Sequence, residues 1–214
     1  MIITLDGPSG SGKSTLAKKI SKIFDITHID SGSIYRAIAY SFMINEVTEK
    51  DYQNHLKTVD IGYEKNGVTL NGKNLKNEIR TSEVSDLSSK IATEQFVRDF
   101  VDEKIREIAN KKSVVVDGRD IGSTVLPNAD YKFFIEADVK KRATRRRIQL
   151  KRKNPNSDIN IREVQEDLIK RDERDKNREI SPLRIPEKAY IIDTTNDSIK
   201  DSIQKIIKVI KEGE

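Results

Sequence analysis

Gly7-Pro8-Ser9-Gly10-Ser11-Gly12-Lys13-Ser14 fits the pattern G-x-x-x-x-G-K-[ST]. The apolar-biased Ile2-Ile3-Thr4-Leu5, followed by Asp6, leads into it as a buried strand, and Leu16, Ala17, Ile20 and Ile23 recur behind it at helical spacing. Strand, glycine-rich loop and helix in that order make a P-loop. The glycines let the backbone curl so that successive N–H groups turn inward on phosphate oxygens. The helix N-terminus adds partial positive charge behind them. Gly7, Pro8, Ser9, Gly10, Ser11, Gly12, Lys13, Ser14 and Thr15 are therefore the candidate nucleotide cradle. Lys13 is placed to reach β- and γ-phosphates, and the Ser14 hydroxyl to ligate Mg2+. The competing reading is a chance match in a glycine-rich turn, and the flanking strand and helix weigh against it. The sequence predicts a binder of nucleoside triphosphate.

The chain has 214 residues, enough for one domain with insertions and a real core. Forty basic against 35 acidic residues leave a net charge of +5, which suits phosphorylated small molecules as readily as nucleic acid. There are no cysteines, which excludes disulfides, thiolate zinc sites and cysteine nucleophiles. His28 and His55 are the two histidines, and neither is assigned a role, a lone histidine being more often structural or solvated. The N-terminus enters a strand without a signal-like segment and no apolar run reaches membrane-spanning length, so a soluble cytoplasmic protein is expected.

Beyond the first helix, Ile26–Asp30 reads as a short strand and Ser31-Gly32-Ser33 opens a second helix capped by Asp30 or Ser31. Arg36, one turn in, is expected to point across the mouth where parallel strands gather ligands. From Val59 to Leu75 alternation and the turn signals Asn66-Gly67 and Asn71-Gly72 predict a small antiparallel sheet of about three strands, inserted in an otherwise alternating β/α chain. Two helices follow, about 82–92 and 93–110. Ser113-Val114-Val115-Val116-Asp117 is the cleanest buried strand, and its terminal aspartate has the shape of a Walker B carboxylate. An ordinary Asp-Gly turn is the plainer alternative. Lys140 to Lys153 holds nine basic residues in fourteen, too many for its neighbours to neutralise, and polyphosphate contact is expected there rather than a merely solvated face. A helix over 161–178 places Arg171, Arg174, Asp175 and Arg178 on one face, where one carboxylate is expected to fall short of three guanidiniums. The polar break at Lys153-Asn154-Pro155-Asn156-Ser157, between the two arginine groups, suits a mobile lid. Ala189-Tyr190-Ile191-Ile192-Asp193 reads as the last core strand, and Ile199, Ile203, Ile206, Ile207 and Ile210 mark a closing helix.

Taken together, Asp6–Thr15, Asp30-Ser31-Gly32-Ser33-Ile34-Tyr35-Arg36, Glu78-Ile79-Arg80-Thr81 with Val84, Asp117-Gly118-Arg119-Asp120-Ile121-Gly122 and Arg171-Asp172-Glu173-Arg174-Asp175 resemble the signatures of the nucleoside monophosphate kinases, most closely the bacterial cytidylate kinases. The P-loop alone is widely shared, whereas the pair DSGxxYR and DGRD-hydrophobic-G is much narrower. The resemblance implies an α/β P-loop fold: a five-stranded parallel sheet flanked by helices, a small antiparallel β insert and an arginine-rich helical lid. It implies one kinase domain over 1–214, with a monophosphate-binding insert about 57–92 and a lid about 147–162. The implied reaction carries the γ-phosphoryl of ATP to CMP or dCMP with Mg2+ as cofactor. Lys13, Arg119 and Arg178 are the implied catalytic residues, and Ser14 and Asp117 the metal-binding ones. Arg36, Arg119 and Arg178 would grip the acceptor phosphate, while Ser31 and Tyr35 line its pocket. Ser89, Arg98 and Asp120 would read the cytosine edge, and Arg171 with Asp175 the ribose. A carboxylate, a hydroxyl and a guanidinium complement the amino donor and the carbonyl and ring-nitrogen acceptors of that base.

Small-molecule partners, no nucleic acid, no membrane and a monomer are what the resemblance leads one to expect. A kinase for UMP, another monophosphate or a small metabolite stays open, as does an ATP-dependent nucleic-acid binder using the basic stretch. Against the latter, no aromatic residue falls between Phe134 and Tyr190 to stack on bases. A GTPase is disfavoured by the lack of an N-K-x-D motif.

Overall fold

The computed structural model describes residues 1–64, 67–153 and 155–213. The first half runs β1 Ile2–Asp6, α1 Lys13–Ile23, β2 Thr27–Asp30, α2 Ser31–Ile44, α3 Tyr52–Leu56, β3 Ile61–Glu64, β4 Gly67–Leu70, β5 Lys73–Asn74, α4 Ser82–Ile91 and α5 Gln95–Ala109. The second runs β6 Val114–Asp117, β7 Tyr131–Glu136, α6 Val139–Lys153, α7 Ile161–Asn177, β8 Tyr190–Asp193 and α8 Ile199–Glu212.

Five strands pair in the order β2-β6-β1-β7-β8, every pair parallel. The fold is the expected P-loop α/β sheet. The β-branched run of β6 is buried on both faces: Val114 and Val116 pack into one hydrophobic cluster with α2, α4 and α5, and Val115 into the other with α1 and α8. Register then decides the site. Leu5 and Asp30 both lie opposite Asp117, so the P-loop, the start of α2 and the end of β6 open at one edge of the sheet. Gly7, at φ +142°, leaves β1 so closely against β7 that a Cβ there would sit 2.1 Å from the Ile135 carbonyl oxygen; only glycine fits.

The insert is a three-stranded antiparallel sheet, β3-β4-β5, as expected. Its second turn is the one that Asn71-Gly72 predicts, with φ of 49° and 76°, both positive as a two-residue I′ hairpin requires. The first turn was read from Asn66, which lies outside the described residues, as does Asn154 of the polar break. Val68, Leu70 and Ile79 merge into the cluster under α2, so the insert shares the main core.

The periodicity overreached in a few places. The strand read as the last core strand is an edge: among the described residues β8 pairs only with β7, and Tyr190 and Ile191 are half exposed while Ile192 is covered. Ile23 and Ile199 also face outward on their helices. A single π-helical turn at Ile121–Val125, with no sequence signal, follows β6.

Candidate functional site

A cavity of about 860 Å³ lies across the mouth of the sheet. Ser9 to Thr15 form one side of it. Gly7 and Pro8 support that loop from beneath instead of lining the cavity. Lys13 curls back over it, Nζ donating to the Pro8 carbonyl at 2.7 Å and to Ser11 Oγ at 3.4 Å. Burial and the nearby Arg119 charge lower its ammonium pKa to about 7. An anionic ligand beside it would favour the charge that burial and Arg119 penalise.

Asp117 stands beside the loop with every polar atom of its side chain engaged. Oδ2 accepts from Ser14 Oγ at 2.6 Å, Oδ1 lies 2.6 Å from His28 Nε2, and its main-chain carbonyl accepts from Ser31 Oγ at 2.7 Å. Burial opposes its ionisation, but His28, Ser14 and Lys13 outweigh burial and hold its pKa below the usual carboxylate value. His28 is thus the residue that sequence reasoning missed. One signal existed: it stands two positions before Asp30 on a strand. Nothing local said that this strand neighbours β6.

The remaining sequence-selected residues gather on the far side of the same cavity. Of the two cap candidates Asp30 is the cap, accepting from Ser33 N at 3.1 Å, and it also holds Arg36 at 3.0 Å, a pairing not foreseen. Tyr35 lies deep, its phenol pKa pushed up by burial, with the Arg98 guanidinium 5.9 Å from its ring centroid. Asp120 is gripped from both sides: Arg98 donates to Oδ2, and Arg178 to Oδ1 at 2.9 Å. Arg119 bonds Asp175 at 2.7 Å and Ser9 Oγ at 2.6 Å, linking α7 to the P-loop; burial opposes its charge, but the carboxylates of Asp175, Asp172 and Asp117 outweigh burial and hold its pKa above the ordinary value.

The α7 face is neutralised differently from the expectation. Asp175 serves none of the three arginines on its own helix. Arg174 donates to Ser89 Oγ at 2.7 Å, Arg171 lies 3.8 Å from Asp86, and Arg178 takes Asp120. Their partners come from α4 and the loop after β6, which a helical-wheel view of α7 alone omits.

The basic run on α6 divides as well. Arg142 is consumed in a buried pair with Asp172, whereas Arg145 donates to Thr194 and still lines the cavity. Arg146 is different: burial lowers its pKa, and the charges of Arg171 and Arg36 lower it further. Three guanidiniums converging at one cavity edge make a site for an anion.

The residues present suit Mg2+. One hydroxyl and one carboxylate oxygen, from Ser14 and Asp117, are hard donors, and magnesium fills its other positions with water and phosphate oxygens.

Comparison with known proteins agrees with this geometry. The chain is 41% identical over 213 residues to the cytidylate kinase of Clostridioides difficile, covering 98% of each chain. It is 39% identical over 211 residues to that of Thermosipho melanesiensis, covering 98% of this chain and 96% of the relative. Among solved structures, a shikimate kinase from Bacteroides thetaiotaomicron overlays with a TM-score of 0.52 at 15% identity, over 99% of this chain and 98% of that one; this likeness concerns the fold alone. The family model described as Cytidylate kinase matches residues 3–212, and with a P-loop, a β6 aspartate and an arginine array around one cavity, the chain belongs to the cytidylate kinase family.

Proposed function

We propose that the protein transfers the γ-phosphoryl group of ATP to CMP or dCMP, giving ADP and CDP or dCDP. The observation that carries this reading is one cavity lined both by the phosphate loop and by the Arg36, Arg98, Arg119, Arg178 array. Two anionic ligands can meet there head to head.

Gly10 to Ser14 and the α1 N-terminus bind the triphosphate, with Lys13 on its β- and γ-phosphates. Ser14 and Asp117 would hold Mg2+, which would supply charge neutralisation at the phosphates. Arg36, Arg119 and Arg178 orient the acceptor phosphate in line with the γ-phosphorus. That acceptor is largely ionised near neutral pH, so no protein base is required. Catalysis then consists of alignment and of neutralising charge on the transferring group by Lys13, Arg119 and Arg178. Ser89, Arg98 and Asp120 read the base, and Arg171 with Asp175 the sugar. The tip of the α6–α7 hairpin, about 147–162, is the lid that excludes water, and the β3–β5 sheet with α4 is the monophosphate-binding insert.

The partners are then small molecules. No helix of the described residues is long and apolar enough to cross a membrane. ADP production from ATP and Mg2+ is to be measured with CMP, dCMP, UMP, AMP and GMP supplied singly. Strong preference for CMP and dCMP is the expected result. Turnover centred on another monophosphate would discard the base-reading assignment, and no acceptor-dependent turnover would discard the kinase reading.

A further inference from the structure

Ser9, at the apex of the P-loop, is held on three sides by residues outside the loop. Its N–H donates to Asp172 Oδ1 at 3.2 Å, its carbonyl accepts from Arg142 Nη1 at 3.0 Å, and its hydroxyl accepts from Arg119. Arg142 and Asp172 are joined at 2.6 Å, and both residues are buried. Arg142 Nε is spent on the Ala137 carbonyl at 2.9 Å, so the guanidinium has a fixed orientation. A Cβ on Gly10 would lie 3.4 Å from Arg142 Cβ, which places α6 directly against the back of the loop.

The consequence follows from peptide geometry. No described peptide bond is cis, so each carbonyl points opposite to the next residue's N–H. With the Ser9 N–H drawn out to Asp172, the Pro8 carbonyl is turned inward, where it meets Lys13 Nζ. With the Ser9 carbonyl drawn out to Arg142, the Gly10 N–H is turned to the opposite side. Two successive peptide planes of the phosphate loop are therefore oriented by one ion pair carried on α6 and α7.

We infer that Arg142 and Asp172 are positioning residues for the donor site: they set the loop in its phosphate-binding shape and tie it to the α6–α7 hairpin. The inference rests on the P-loop being the triphosphate site, as proposed above. Neither residue touches the nucleotide in this account; they act through Ser9. A buried pair with nothing to position could be exchanged for apolar residues of similar volume at little cost in stability. Here such an exchange removes the orientation of the loop as well.

The test is the double variant Arg142→Met/Asp172→Leu in the full chain, read by thermal unfolding and by fluorescent ATP-analogue titration with and without Mg2+. Steady-state kinetics then separate the two substrates. The pair supplies charge-assisted hydrogen bonds to the loop, so the expected result is a folded protein whose analogue Kd and KM for ATP both rise about tenfold. The KM for CMP should rise clearly less than that for ATP, since of its proposed contacts Arg119 alone touches Ser9. Unchanged analogue binding in the folded variant overturns the inference, and so does an equal loss for ATP and CMP, which would mean general loosening of the hairpin.

Should the double variant not fold, Arg142→Lys replaces it. Lysine keeps the charge, but its one nitrogen ends a bond short of the Nη1 that serves both Asp172 and the Ser9 carbonyl and cannot also replace Nε at the Ala137 carbonyl, so at least about threefold weaker analogue binding is expected. Unchanged binding there is equally decisive against the inference. Analogue binding is measured without acceptor, so it stands apart from the kinase reading, which fails only if the wild type makes no ADP with any monophosphate.

Discussion

His28 Nε2 and Asp117 Oδ1 lie 2.6 Å apart, with the imidazole almost wholly covered and the other carboxylate oxygen bound to Ser14. The contact occupies one oxygen of Asp117, so the other, bound to Ser14, is the one that the proposed Mg2+ site would use. Residues behind a metal-binding carboxylate typically alter metal affinity by about 10- to 100-fold when removed. His28→Leu should therefore raise the Mg2+ concentration for half-maximal rate about tenfold, and His28→Gln, which retains a hydrogen-bond donor, should recover part of that loss. Mg2+ titrations of initial rate, with Mn2+ binding followed separately by electron spin resonance, check this. An unaltered metal dependence in His28→Leu would leave His28 a packing residue.

Lys13 is buried against the Pro8 carbonyl, and burial lowers its pKa to about 7. Its charge is a cost to the fold and a gain only when phosphate is present. Lys13→Met should lower kcat by about 10²- to 10³-fold, the usual cost of removing one preorganised transition-state donor. The melting temperature should not fall, since a desolvated ammonium is replaced by an apolar side chain of similar length. A variant that keeps wild-type turnover would remove Lys13 from catalysis.

These two residues also mark what could be read from the chain. Lys13 sits in a motif whose strand, glycines and helix are contiguous, and Asn71-Gly72 carries its backbone angles in its residue types. Local sequence determines such features. The His28–Asp117 contact spans 89 positions and depends on β2 pairing with β6, a strand order that no periodicity encodes. The same reason hid the partners of Arg171, Arg174 and Arg178. At β8, four apolar or aromatic positions read as core, yet whether the outer face of a strand is covered depends on a neighbour elsewhere in the chain, and Tyr190 and Ile191 have none that covers them.

Asp120 is the shared counterion of the buried Arg98 and of the mostly covered Arg178. Asp120→Ala strands two guanidiniums in a low-dielectric site and should cost about 3–5 kcal/mol of stability, which would confuse any kinetic reading. Asp120→Asn keeps the shape and one acceptor. It should raise the KM for CMP at least about tenfold with the ATP value changed by less than about twofold, because an altered polar partner is felt by the substrate that contacts it. Equal effects on both substrates would take Asp120 out of base recognition.

Asp6 gives the fold a pH dependence of defined sign. Its carboxylate is wholly buried, accepting from Ile121 N at 2.8 Å and Gly122 N at 2.7 Å, and so anchors the π-helical turn after Asp120 to the end of β1. Burial raises its pKa from 3.8 to about 6, against the pull of those two N–H donors. The folded chain then holds this proton more tightly than the unfolded chain. The linked stabilisation is complete below about pH 3.8 and is lost as pH rises through about 6. Asp102, raised to about 6 by burial, adds with the same sign, and Asp117, lowered, opposes. Asp6→Asn cannot titrate and leaves the other two in place, so the difference between wild type and variant isolates Asp6. Urea unfolding at intervals from pH 4.5 to 7.5 should show the wild type gaining on the variant towards acid, by up to about 2–3 kcal/mol. A gap that stays flat would mean that the two N–H donors keep Asp6 ionised throughout, and that its grip on the turn is that of a permanent anion.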